Sequence, residues 1–205
     1  MAEPQHPQIY LVTPPDFDLG RYPQTLASVL DAVPVACLRL ALASHDEDRL
    51  TRAADAVRGV AHAADVATVI DTHVVLAERL GLDGVHLSGG RGVRAARTAL
   101  GADAIVGSYC GQSRHDGLNA GESGADYVSF GPVSGALGDG ALADPDLFSW
   151  WTEMIEVPVV AEGGITLELA ATLAPITDFV ALGDEIWSAE DPVAAARGFA
   201  KALGI

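Results

Sequence analysis

The chain has 205 residues, 49% of them hydrophobic and 20% charged, a balance that excludes a disordered chain and fits one domain, 1–205. Twelve basic residues against twenty-eight acidic ones give a net charge of −16, which disfavours nucleic acid and anionic membrane surfaces as partners, since both need clustered Lys and Arg. Eleven of the basic residues are Arg and the single Lys is Lys201, so a lysine Schiff base has no place in the body of the chain unless Lys201 folds back.

The opening MAEPQHPQ lacks the basic and apolar runs of a secretory signal, and no stretch approaches about eighteen apolar residues, so a cytoplasmic protein without a membrane span is expected. Cys37 and Cys110 then read as reduced thiols filling apolar space. In chain order, Ile9–Thr13 (IYLVT) predicts a strand and Tyr22–Ala32 a helix. Val35–Leu42 (VACLRLAL) predicts the second strand, followed by a helix at Asp46–Ala64 that carries Leu50, Ala54, Val57 and Ala61 at helical spacing. Strand Ala67–Asp71 leads to helix Val74–Leu80, strand Asp83–Leu87 to helix Val93–Leu100, and strand Ala104–Ser108 to helix Gln112–Ser123. After strand Asp126–Phe130 comes a Gly- and Ala-rich stretch, Pro132–Ala143, which reads as a mobile active-site loop. Helix Pro145–Ile155 follows, with Asp144 as its N-cap. Strands Pro158–Glu162 and Asp178–Leu182 alternate with helices Thr166–Ala174 and Asp191–Leu203.

Eight apolar strands with polar residues at their ends, each followed by a helix, predict parallel strands buried on both faces. The count favours closure, giving the fold class α/β and a single (βα)8 TIM barrel. Chemistry in such a barrel sits at the C-terminal ends of the strands. Those positions are Thr13, Arg39, Asp71 with His73, His86 with Ser88, Ser108 with Tyr109, Ser129, Glu162 and Asp184. Gly163-Gly164 after the seventh strand and Gly183 after the eighth suit a phosphate grip, although a plain tight turn is the alternative. Asp184 works against a phosphate directly beside it. Arg39, inside an apolar strand, needs a partner: a substrate phosphate, Asp71 or Glu162. His86 is read either as a core histidine or as a ligand-binding one. Asp71, His73, Glu162 and Asp184 carry donor atoms suited to a divalent metal, at spacings that are not diagnostic.

Four segments carry a resemblance: Ile9–Thr13 (IYLVT), Asp83–Leu87 (DGVHL), Gly124–Pro132 (GADYVSFGP) and Val157–Ile165 (VPVVAEGGI). In this order, over nearly the whole length, they resemble the thiamine phosphate synthases, to which the thiazole tautomerases are related. The resemblance implies a phosphate-binding TIM barrel that joins a hydroxymethylpyrimidine diphosphate to a thiazole phosphate, with magnesium neutralising the diphosphate. Arg39 falls on the family's diphosphate-contacting arginine, Asp71 on the Asn of its Asn-Asp pair, and Tyr109 near the serine after the fifth strand. These three are the catalytic candidates, and Asp71 is also the candidate metal ligand. Gly163, Gly164, Gly183, Asp184, Glu162 and His86 are the candidates for substrate and phosphate binding.

The chain departs from the family at defined places. Cys37 and Ala41 stand for a glutamine and a lysine flanking Arg39, and Ser134–Asp139 (SGALGD) replaces Thr-x-Thr-Lys. Gly183-Asp184 replaces Ile-Ser, and Pro132 stands at the tautomerases' histidine. The two magnesium-binding carboxylate positions hold Thr72 and Arg91, so the usual ligands of magnesium are missing and Arg91 brings a positive charge instead. Two other readings stay open. One is a degenerate barrel that binds a phosphorylated metabolite or a protein partner without transfer. The other is a different enzyme using Glu162, Asp184, His73 and Tyr109 as acids and bases. The expected ligand is a small phosphorylated heterocycle, and a homodimer is left open.

Overall fold

The structure, a computed structural model, describes residues 6–135 and 141–205. The strands are β1 (Gln8–Val12), β2 (Val35–Leu40), β3 (Ala67–Asp71), β4 (Gly84–Leu87), β5 (Ile105–Tyr109), β6 (Tyr127–Phe130), β7 (Val159–Ala161) and β8 (Phe179–Leu182). All neighbouring pairs are parallel and β8 pairs with β1, so the sheet closes in strict chain order. The helices that return the chain are α1 (Tyr22–Ala32), α2 (Glu47–Ala63), α3 (Val74–Leu80), α4 (Val93–Leu100), α5 (Arg114–Glu122), α6 (Pro145–Met154) and α7 (Leu167–Leu173). Two more, α8 (Asp184–Trp187) and α9 (Pro192–Leu203), follow β8. The expected TIM barrel is therefore present. Strict one-to-one alternation is not, because α8 adds a short ninth helix at the C-terminal rim among the described residues.

Local chemistry explains where elements begin and end. Side chains of Asp46, Ser113, Asp144, Thr166 and Asp191 accept from first-turn N–H groups of α2, α5, α6, α7 and α9. The Ser113 cap starts α5 at Arg114 instead of at Gln112. Strand β2 stops at Leu40, two residues short of the apolar run that predicts it. Beyond it the Ala41 N–H donates to Thr13 Oγ1 and the Ala43 N–H to the Pro15 carbonyl, which draws the chain onto the loop after β1.

Three aspartates pin the bottom of the barrel. The Oδ2 atoms of Asp83, Asp126 and Asp178, each just before an even-numbered strand, accept from the N–H groups of Thr68, Val106 and Val159 at 2.6, 2.7 and 2.8 Å. Each bond fixes the register between an odd strand and its even successor. A charge-assisted acceptor is stronger than a neutral one, which suits a site where a slip would turn every side chain to the wrong face.

Alternation along the strands separates two cores. Ile9, Leu11, Leu38, Leu40, Ile70, Val85, Val106, Val128, Phe130 and Leu182 face outward against the helices. Tyr10, Cys37, Val69, Tyr127, Val160 and Ala181 fill the lumen. The Tyr127 ring crosses toward β5 because position 107 is glycine: a Cβ there would lie 2.0 Å from Tyr127 Cζ. The filled lumen floor leaves the C-terminal mouth as the place where polar side chains converge.

Replacing Asp178 with Ala strands the Val159 N–H, and about 1–3 kcal/mol of stability is expected to be lost. Asp178→Asn, which keeps an acceptor oxygen, restores most of it. Chemical denaturation of the two variants checks the ordering.

Candidate functional site at the barrel mouth

Arg39 points into the barrel from β2, and its side chain is only 12% exposed. Burial alone would push its pKa down, but the Glu162 carboxylate outweighs this, with help from Tyr10 and Asp71, and the guanidinium stays firmly charged. Arg39 Nη1 donates to Glu162 Oε2 at 2.8 Å, and Nε lies 3.5 Å from Asp71 Oδ1. The guanidinium carbon lies 5.9 Å from the centre of the Tyr10 ring. The pairing is unequal: Glu162 has a true hydrogen bond, whereas Arg39 Nε and Asp71 Oδ1 are buried with no hydrogen-bond partner among the described residues. Burial raises the Asp71 carboxyl from 3.8 to about 6, against the pull of Arg39 and with a further push from Glu162. One guanidinium faces two carboxylates here, and the surplus falls on Asp71.

Beneath this group lies a polar chain that holds the lumen together. Tyr10 Oη and Tyr127 Oη are 2.7 Å apart, and Tyr127 Oη lies 2.9 Å from His86 Nδ1. Burial, reinforced by Arg39, pushes the His86 pKa well down, so the imidazole is neutral. Burial likewise holds both phenols well above their ordinary range. His86 is thus a fully packed partner of Tyr127 below the mouth.

The remaining residues ring the mouth. Tyr109 donates to the Gly131 carbonyl at 2.7 Å, a carbonyl that Gln112 Nε2 also reaches at 3.1 Å. The tyrosine therefore anchors the loop after β6. That loop was expected over Pro132–Ala143, and its residues 136–140 lie outside the described residues. Its described flanks are tied to the loop after β7. Ser134 Oγ donates to the Gly164 carbonyl at 2.7 Å and the Val133 N–H to the Gly163 carbonyl at 3.0 Å. Gly163 and Gly164 have φ of +88° and +75°, the left-handed conformations for which glycine is needed.

Glu185 was not anticipated. Its carboxylate accepts from the Ile165 N–H at 3.0 Å and the Gly183 N–H at 2.9 Å, bridging the loops after β7 and β8. The Gly183 amide is therefore already engaged, and Asp184 opens α8 on the exposed side. A carboxylate two residues past a glycine was the signal available for Glu185, and it does not reveal that the chain folds back onto itself.

The metal reading needs a correction. No group of three or more His, Cys, Asp or Glu among the described residues is arranged to hold a metal ion, so Asp71, His73, Glu162 and Asp184 do not assemble as one. Asp71 Oδ1 faces Arg39 Nε at 3.5 Å without forming a hydrogen bond. Thr72 has a φ of +57°, rare for a β-branched residue. Beside it opens a cleft of about 1090 Å³, lined by Thr72, Ser88 to Gly92, Tyr109 to Ser113, Asp116 and Asn119.

Comparison with known proteins agrees with this architecture. The family described as thiamine monophosphate synthase matches residues 9–186. The thiamine-phosphate synthase of Rhodospirillum centenum is 42% identical over 201 residues, covering 96% of this chain and 97% of that one. The thiamine-phosphate synthase of Erythrobacter litoralis is 36% identical, covering 99% of both chains. Among solved structures, a thiamine phosphate pyrophosphorylase from Pyrococcus furiosus superposes with a TM-score of 0.82 at 23% identity, over 96% of this chain and 95% of that one.

Removing Arg39 leaves two uncompensated carboxylates, so Arg39→Met is expected to cost about 3–5 kcal/mol. Adding Glu162→Leu should recover much of that loss, as a double-mutant denaturation cycle would show. The sign for Asp71 is opposite. Its folded pKa of about 6 lies above the ordinary 3.8, so its contribution to stability is complete below about pH 4 and is lost as pH rises through 6. Asp71→Asn should therefore gain stability relative to the native chain between pH 4 and pH 7, measured by thermal unfolding.

Proposed function

The chain belongs to the thiamine monophosphate synthase family, and from that premise we propose that it joins a hydroxymethylpyrimidine diphosphate to a thiazole phosphate at the barrel mouth, releasing diphosphate. A single domain, 1–205, acting in the cytoplasm is part of this reading. No helix among the described residues is long and apolar enough to cross a membrane.

The observation that carries the proposal is the unfilled edge between Arg39 Nε and Asp71 Oδ1, an orphaned donor beside an orphaned acceptor. An aminopyrimidine presents the complementary pair, a ring nitrogen that accepts and an amino group that donates. Satisfying both would remove the cost of leaving buried polar groups unpaired. The surplus negative charge of the Arg39–Asp71–Glu162 group then favours positive charge developing on the pyrimidine methylene as its C–O bond breaks. Tyr109 and Gln112 act as positioning residues, holding the loop after β6 against the mouth. Tyr10, Tyr127 and His86 close the floor and keep water from reaching the reacting carbon from below. Gly163 and Gly164 supply the close backbone approach that a thiazole phosphate needs.

Magnesium is implied by the resemblance, but the residues present do not fit it: Thr72 and Arg91 occupy its two ligand positions, and the guanidinium of Arg39 lies 3.5 Å from Asp71. A barrel that binds without transfer is disfavoured, because relatives matching nearly the full length are themselves named synthases.

Incubating the pure protein with the pyrimidine diphosphate and thiazole phosphate should yield thiamine phosphate, detected by mass spectrometry. Arg39→Ala should lower kcat/KM by about a hundredfold or more. Tight binding of either substrate with no product would contradict the transferase reading.

A further inference from the structure

The transferase reading leaves a diphosphate to be held, and Arg39 is already committed to two carboxylates. Among the described residues, the one guanidinium lining the cleft beside Thr72 is that of Arg91. It sits in Ser88-Gly89-Gly90-Arg91-Gly92, between β4 and α4, and makes no hydrogen bond or ion pair among the described residues. The loop lines the cleft of about 1090 Å³ that also takes in Thr72 and Tyr109, at the ends of β3 and β5. The N–H groups of Gly89 and Gly90 likewise find no hydrogen-bond partner among the described residues. A free guanidinium beside free backbone amides is a donor array with no acceptor of its own, and that is the chemistry of an anion site.

A divalent cation is less well served. Magnesium keeps several waters and takes one or two carboxylates together with substrate phosphates. This cleft offers one carboxylate, Asp116, against one guanidinium, Arg91. A cation placed there would be repelled by Arg91, whereas a diphosphate would meet it directly. Gln112, Ser88 and Ser113 add neutral polar groups that discriminate against neither.

We propose that this cleft holds the diphosphate group of an organic ester without a resident divalent cation, Arg91 and the Ser88–Gly92 backbone supplying the charge that a metal would otherwise bring. The inference rests on the synthase reading for the kind of ligand, and on the cleft for the manner of holding it. Arg91 is exposed and unpaired, so replacing it leaves the fold intact.

The test is calorimetric titration of the full chain with inorganic pyrophosphate, first in excess chelator and then with magnesium. Binding should be present in chelator and little changed by magnesium. Arg91→Ala should weaken it by about tenfold or more, with Arg91→Lys recovering part of the loss. Binding by the native chain only when magnesium is present overturns the inference, and so does an Arg91→Ala variant that binds as tightly as the native chain. A parallel assay for thiamine phosphate separates the two claims. Product formed only with magnesium sinks the metal-free site and leaves the transferase. Metal-free, Arg91-dependent binding with no product leaves the anion site and sinks the transferase.

Discussion

A guanidinium enclosed by eight strands has to be neutralised where it stands, and much of the barrel mouth follows from that requirement. Arg39 is only 12% exposed, and Glu162 crosses from the end of β7 to meet it at 2.8 Å. The second carboxylate, Asp71, arrives from β3 at 3.5 Å and is left without a hydrogen bond on its inner oxygen. Its unused hydrogen-bonding capacity and the surplus negative charge at the mouth follow from that unequal pairing, while burial, with a smaller push from Glu162, raises its pKa against the pull of Arg39. The floor is built to tolerate the cation as well: the Tyr10 ring lies against it, and His86 below remains neutral instead of adding a second positive charge.

The rest of the scaffold holds this group at a fixed depth. The Asp83, Asp126 and Asp178 carboxylates fix register at the bottom, so the alternation that sends Arg39, Asp71 and Glu162 inward is not lost by a slip. At the top, the loops after β6, β7 and β8 are cross-tied through Tyr109, Gln112, Ser134 and Glu185. Glu185 in particular places an internal carboxylate on amides that resemble an anion grip. Beside it the Gly163-Gly164 turn keeps the left-handed conformations that only glycine adopts freely.

Most of the fold was legible because parallel strands buried on both faces leave a plain mark: short apolar runs with polar ends, at regular spacing. The pairing of Arg39 was also legible, since a charged residue within an apolar strand needs a partner and the barrel rule named Asp71 and Glu162. What escaped depends on contacts between distant segments. Ala41 and Leu42 look like strand, yet Thr13 and Pro15 divert their backbone. Helix α8 spans four residues, too few for a helical period to show. The bridge from Glu185 to Ile165 joins positions twenty apart, and the Tyr10–Tyr127–His86 chain requires a closed lumen before its members can meet. The metal set failed for a related reason: only Asp71 and Glu162 of its four members meet, at Arg39, while Asp184 stays exposed at the rim.

The account is tested most directly by titrating the Asp71 carboxyl carbon by carbon-13 NMR in the intact protein. A midpoint near pH 6 is predicted, as expected of a carboxyl group raised chiefly by burial and further by Glu162, against the pull of an Arg39 that already bonds Glu162. A midpoint at the ordinary aspartate value, near 3.8, would mean that Asp71 is solvated or fully paired. The unequal triad on which this reading of the mouth is built would then be wrong.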